Sequence, residues 1–168
     1  TIKKAEDTCD ALVTTGGVSM GDFDYVKIVL NRLGEMRWMQ VAIKPAKPLA
    51  YGIVNELPVF GLPGNPVSSM VSYELFARPA LRKMSGNKNP YRTIFEGKAT
   101  QDFLRKPDGK THFFRVSADV GEGTPKLQSA GHQGSHQLTG MAGANALAIL
   151  PDGNGVTQDA TLEFLFLD

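Results

Sequence analysis

Two stretches of the chain carry apolar residues at helical spacing. Tyr25, Ile28, Val29 and Leu33 mark the first; Val67, Met70, Val71 and Leu75, with Tyr73 between them, mark the second. That three-to-four spacing predicts one apolar helix face in each. Each follows a short apolar run that reads as a buried strand, Ala11-Leu12-Val13 or Val59-Phe60, and a glycine loop, Gly16 to Asp22 or Gly61 to Ser68. Two strand-loop-helix units result. Gly34 predicts the stop of the first helix, while the second runs from Pro66 to about Met84, kinks at Pro79 and ends at Ser85-Gly86-Asn87. The polar opening, with Ile2 and Ala5 three apart, reads as the last turns of a helix begun upstream. Met36 to Ile43 and Leu49 to Val54 read as strands joined by Lys44-Pro45-Ala46-Lys47-Pro48, whose prolines remove donors and are expected to hold the connection extended. Asn55-Glu56 supplies a turn.

Beyond a polar, breaker-rich segment at Asn87 to Pro90 the period changes. Short apolar segments at Thr93 to Phe95, His112 to Val120, Lys126 to Gln128, Ala146 to Leu150 and Thr161 to Leu167 alternate with turns such as Pro107-Asp108-Gly109 and Pro151-Asp152-Gly153. Many short strands with regular turns predict a small all-β sandwich or barrel. The expected organisation is α/β over 1–88 and a small β domain over 89–168. In an open α/β sheet the loops after parallel strands share one edge, so both glycine loops should face one crevice.

Composition narrows the partners. The chain has 168 residues and a formal net charge of +1, without the basic excess expected of a nucleic-acid binder. No apolar run reaches a membrane span and the N-terminus lacks signal-peptide order, so a cytoplasmic setting is expected. Cys9 is the single cysteine, which rules out an internal disulfide, and it reads as a small packed residue.

Candidate chemistry gathers in the loops. Asn65 is suited to an N-cap and Pro66 to the first helical position, leaving bare N–H groups, a partial positive charge and the Ser68 hydroxyl as an anion site; the alternative is a capped turn. Asp22 and Asp24, at the start of the first helix, either complement its dipole or share Mg²⁺ with a ligand phosphate. Lys44 and Lys47 are compact cations suited to an oxyanion, or solvated surface lysines. Arg115 lies on a strand after Phe113-Phe114, and Gly131-His132-Gln133-Gly134-Ser135-His136 forms a polar loop. Its two histidines lack a third zinc ligand nearby, and His112 reads as a strand-surface residue.

Four ordered motifs, Thr14-Thr15-Gly16-Gly17-Val18-Ser19-Met20-Gly21-Asp22-Phe23-Asp24-Tyr25, Ile43-Lys44-Pro45-Ala46-Lys47-Pro48, Gly61-Leu62-Pro63-Gly64-Asn65-Pro66-Val67-Ser68 and Gly131-His132-Gln133-Gly134-Ser135, together resemble the molybdopterin molybdenumtransferase family, the MoeA type to which the gephyrin E domain is related. The resemblance implies insertion of molybdenum from molybdate into adenylated molybdopterin, with release of AMP and help from Mg²⁺. It implies Gly16, Gly17, Ser19, Gly64, Asn65 and Ser68 on the pterin phosphate, Asp22 and Asp24 on the metal, and Lys44, Lys47, Arg115 and Ser135 on molybdate. It further implies a homodimer, with other cofactor-synthesis proteins as possible partners. The family usually has glycine where Ala46 stands, and begins its α/β domain earlier, with a Thr-Gly-Asp-Glu segment absent here. The expectation is therefore the C-terminal portion of the enzyme, inactive by itself. Two other readings are a gephyrin-type pterin- or peptide-binding module and the preceding adenylyltransferase, against which the appended β domain counts.

Overall fold

The computed structural model describes residues 2–18, 25–134 and 138–167. The chain divides into two compact units. One runs to Val41 and resumes over Ala46–Pro90; the other comprises Ala42–Pro45 and the residues from Tyr91 onward. A linear boundary does not capture the excursion of residues 42–45 into the second unit.

The first unit contains α1 (Ile2–Glu6), β1 (Leu12–Thr15), α2 (Tyr25–Leu33) and β2 (Glu35–Gln40). After the excursion, which forms β3 (Ile43–Lys44), come β4 (Pro48–Val54), β5 (Leu57–Leu62), α3 (Pro66–Ser72) and α4 (Arg78–Met84). The sheet order is β1-β5-β4-β2, with β1 and β5 parallel and the other pairs antiparallel. Successive residues of a strand face opposite sides, and two cores follow. Leu30, Val54 and Val59 pack with Ile2, Leu12, Val26 and Leu33 on one side; Leu49, Phe60, Leu62 and Ala77 pack with Phe76, Ala80 and Leu81 on the other. The unit is thus three-layered, helix-sheet-helix. A two-residue Asn55-Glu56 loop joins β4 to β5, and both residues have the positive φ, 46° and 70°, that a tight hairpin of right-handed twist requires.

Between α3 and α4 the helix continues as a π-turn over Tyr73–Ala77. Pro79 has no N–H to return to the preceding turn, and the wider turn accommodates that loss without a break. Gly86, at φ 81°, ends α4, with Gly86 N–H bonded to Lys83 O and Asn87 N–H to Arg82 O.

The second unit comprises β3, β6 (Ile94–Ala99), β7 (Phe103–Leu104), β8 (Thr111–Asp119), β9 (Lys126–Ser129), α5 (Leu138–Ala142), β10 (Ala146–Leu150), β11 (Gly155–Val156) and β12 (Thr161–Phe166). Its sheet order β10-β12-β6-β9-β8 closes through a β10–β8 pairing, a five-stranded barrel to which β3 adds in parallel at Thr111–His112. Inward side chains of alternate positions, among them Phe103, Val116, Leu127, Ala148, Leu150, Leu162 and Phe164, fill its interior. β7 and β11 form a separate two-stranded ribbon.

Several local expectations are corrected. β1 is half exposed, with Val13 open to solvent, because it is the outermost strand among the described residues. The α2 stripe is inverted: Leu30 is its fully buried residue while Tyr25, Ile28 and Val29 are exposed, since the sheet covers only the face carrying Val26, Leu30 and Leu33. In α3, Ser68, Ser69 and Ser72 are buried and Met70 is exposed. The apolar run predicted from Met36 to Ile43 breaks after Gln40, because β3 leaves to pair with β8. Cys9 is exposed rather than packed.

Candidate functional site

In the first unit, parallel pairing of β1 with β5 brings the two glycine loops into contact. Gly16 N–H donates to Leu62 O at 2.9 Å. A Cβ on Gly64 would stand 3.2 Å from Gly16 Cα, and one on Gly61 would stand 2.7 Å from Val18 Cγ1. Backbone therefore lies on backbone, with Gly16 and Gly17 in the left-handed region at φ 83° and 77°. Asn65 holds the N-cap position in extended conformation but makes no side-chain cap bond; Pro66 takes the first turn, and Ser69 N–H to Asn65 O at 2.8 Å is the first helical bond. Ser68 is buried within the first turn. Ser19, Asp22, Asp24 and Ser135 lie outside the described residues.

The lysine motif is divided between the units. Lys44 ends β3 in the second unit and is the register partner of His112, whereas Lys47 belongs to the first unit, where its carbonyl accepts from Val41 N–H at 2.7 Å. Both lysines are exposed. The connection is not extended as its prolines suggested: the Lys44–Pro45 peptide is cis, and Ala46, buried, turns at φ 81°. A left-handed residue is where glycine is favoured, in keeping with glycine as the usual residue at this place in the resembling family.

Arg115 is the most unusual residue of the barrel. It is fully buried, and burial pushes its pKa below the ordinary arginine value. Strand alternation sends His112 and Phe114 to one face of β8, where their rings stack with centroids 6.0 Å apart, and Arg115 to the other. There the 130–134 loop covers it. Arg115 Nη2 donates to His132 O at 2.5 Å and Gly134 O at 3.2 Å, but among the described residues Nε and Nη1 have no hydrogen-bond partner. No described carboxylate pairs with it, so a cation is sequestered with two nitrogens unused. Burying such a charge is costly unless something negative completes it.

A second buried arginine offers the contrast. Arg105 donates from Nη1 to the carbonyls of Lys110, Leu150 and Pro151, and from Nη2 to Asp108 and Asp152, both at 2.7 Å. Asp152 also accepts the N–H groups of Asp108 and Gly109, so the two Pro-Asp-Gly turns are fastened through one guanidinium. The Lys110 ammonium at 2.9 Å, then the His112 ring, hold the Asp108 carboxyl down at about 2. His112 is buried rather than on the strand surface. Burial lowers its pKa against the pull of Asp108, whose carboxylate requires Nε2–H as donor at 3.1 Å. Arg105 is thus structural and Arg115 is not similarly neutralised.

Gln133 was not singled out by sequence reasoning, although its loop was. Its Oε1 accepts Arg115 N–H at 2.8 Å and its Nε2 donates to Arg115 O at 2.9 Å. A side-chain amide thereby substitutes for a neighbouring strand. Among the described residues no group of three or more His, Cys, Asp or Glu is arranged to hold a metal ion.

The fold and its features define a class: an α/β unit whose glycine loops present a helix start, coupled in sequence to a closed barrel with a buried arginine that no described carboxylate compensates. Residues 1–83 match the family described as a probable molybdopterin binding domain, and residues 98–165 match the MoeA C-terminal region (domain IV). The chain belongs to the molybdopterin molybdenumtransferase family, the MoeA type. It is 34% identical over 168 residues to the Bacillus subtilis molybdopterin molybdenumtransferase, covering 99% of this chain and 39% of that protein. With the Haemophilus influenzae protein of the same name it shares 35% over 156 residues, 90% of this chain and 38% of the relative. Two crystal structures of a molybdopterin biosynthesis MoeA protein from Pyrococcus horikoshii share the fold, at TM-scores of 0.69 and 0.76 with 22% and 24% identity, over 98% and 99% of this chain and 37% and 39% of theirs. The chain thus spans about two fifths of the length of these relatives.

Proposed function

We propose that this chain contributes the molybdopterin- and molybdate-binding parts of a molybdenum insertion enzyme in molybdenum cofactor biosynthesis. Arg115 carries the reading. A buried guanidinium with Nε and Nη1 unpartnered and no carboxylate partner among the described residues is suited to a small oxyanion, which accepts charge-assisted hydrogen bonds without needing a general base. Ser135, next in the chain after the carbonyl of Gly134 that Arg115 contacts, and the exposed Lys44, which belongs to the same unit as Arg115, are assigned to the same anion. The glycine loops support the pterin side: Gly16, Gly17 and Gly64 keep the backbone bare, and Asn65 and Ser68 open the helix. Adenylated molybdopterin as substrate, AMP as product, Mg²⁺ held by Asp22 and Asp24, a homodimeric assembly and a cytoplasmic location belong to the same proposal. Among the described residues no helix is long and apolar enough to cross a membrane.

The test is calorimetric titration of the chain with molybdate. Saturable binding that Arg115→Met abolishes is the expected result. Equal binding by the two proteins would remove the oxyanion assignment.

A further inference from the structure

The backbone of Arg115 is gripped by the side chain of Gln133, and the side chain of Arg115 grips the backbone on either side of Gln133. Gln133 Oε1 and Nε2 bond the N–H and C=O of Arg115 at 2.8 and 2.9 Å, while Arg115 Nη2 bonds the carbonyls of His132 and Gly134 at 2.5 and 3.2 Å. The Gln133 amide is itself fixed: Nε2 also lies 3.0 Å from Ser129 Oγ and 3.0 Å from Gly131 O. This reciprocal clasp has a directional effect. Because Nη2 is committed to the loop, Nε and Nη1 are the nitrogens left for a ligand. Gly140 lies close on one side, where a Cβ would come within 3.3 Å of Nε and 2.8 Å of His132 O. The guanidinium has little freedom to turn.

We propose that Gln133 is a positioning residue for oxyanion capture: it holds the loop against Arg115 so that the guanidinium presents Nε and Nη1 in one orientation. The inference rests on the reading of Arg115 as an oxyanion ligand. Gln133 does not contact the anion; it acts by limiting the conformations that Arg115 would otherwise lose on binding. Removing the amide frees β8 from the loop at this point, and the arginine then meets the anion from a mixture of orientations.

The experiment compares molybdate affinity of the wild-type chain, Arg115→Met, Gln133→Met and Gln133→Glu by calorimetry. It also follows the Arg115 Nε–H signal by NMR, assigned by its loss in Arg115→Met. Gln133→Met preserves length without the amide, and Gln133→Glu preserves the acceptor for Arg115 N–H while removing the donor to its carbonyl. Expected are affinities weakened on the order of tenfold in both Gln133 variants, the scale of coupling between contacting residues. The Arg115 Nε–H signal should shift or broaden in both, at a temperature where both remain folded. Binding equal to wild type in the Gln133 variants while Arg115→Met binds none overturns the positioning role and leaves the oxyanion reading intact. So does weakened binding with an unmoved Nε–H signal. Molybdate binding that is absent in wild type, or unchanged by Arg115→Met, overturns the oxyanion reading and the positioning role with it.

Discussion

Replacing Arg115 with methionine should leave the ligand-free protein as stable as before or more stable. The side chain makes two hydrogen bonds from a charged donor, worth about 1.5–3 kcal/mol each, and leaves Nε and Nη1 without partners at about 1–3 kcal/mol each. Those contributions roughly cancel. The desolvation of the ion, several kcal/mol even after relaxation, then decides the sign. The carbonyls released by the substitution sit in a loop whose Gly131 and His132 are exposed, so water can take them. A gain of about 1–3 kcal/mol is expected, in the range seen when buried ions yield to apolar residues of similar volume. Scanning calorimetry with hydrogen exchange at β8 and β10 amides would measure it. Molybdate at 100 times its dissociation constant should stabilise the wild type by about 2.7 kcal/mol and the variant not at all. A loss of more than about 2 kcal/mol in the ligand-free variant, with no molybdate effect on either protein, would falsify the idea that Arg115 awaits an anion.

Arg105→Met should behave oppositely, costing about 3–5 kcal/mol in the barrel's melting, because two carboxylates and three carbonyls lose one shared donor. Barrel stability should fall as pH drops below 6.5, since folded His112 binds its proton less readily than an unfolded histidine; it should fall again from 3.8 toward about 2 as Asp108 is protonated. Acid titration monitored by circular dichroism should show the first of these losses vanish in His112→Gln. Gly61→Ala should cost about 1–3 kcal/mol in urea unfolding, because its methyl would meet Val18 Cγ1 at 2.7 Å and Ala50 Cβ at 3.0 Å. Glu56→Gly should raise stability by up to about 1 kcal/mol by relieving φ 70° at an exposed turn, readable as a higher melting temperature.

Local chemistry made the two strand-loop-helix units legible, because glycine, proline and apolar spacing act within a few residues of one another. The meeting of Gly16 with Gly64 followed from parallel pairing, which the topology of such sheets implies. Which face of α2 is buried could not be read, because that depends on how much sheet lies beneath the helix. Nor could β3: two residues have no period, and Ile43–Lys44 becomes a strand only because β8 offers an open ladder at Thr111–His112. For Arg115, motif resemblance supplied a role but alternation along β8 gave no hint of burial, since its cover comes from a loop fastened by a glutamine amide. The Pro-Asp-Gly turns read as turns, and their shared attachment to Arg105 is a tertiary fact that no spacing encodes.

The short excursion at Ala42–Pro45 has a consequence for modularity. The polypeptide changes unit three times, after Val41, after Pro45 and after Pro90, instead of once. A contiguous piece starting at Tyr91 would close its barrel through β8 and β10 yet lack the β3 ladder at Thr111–His112 and the lysine that β3 carries. The barrel is therefore not a cassette that can be cut at one point and moved. Any recombination that exchanged it would also have to exchange a four-residue insert from the middle of the α/β unit.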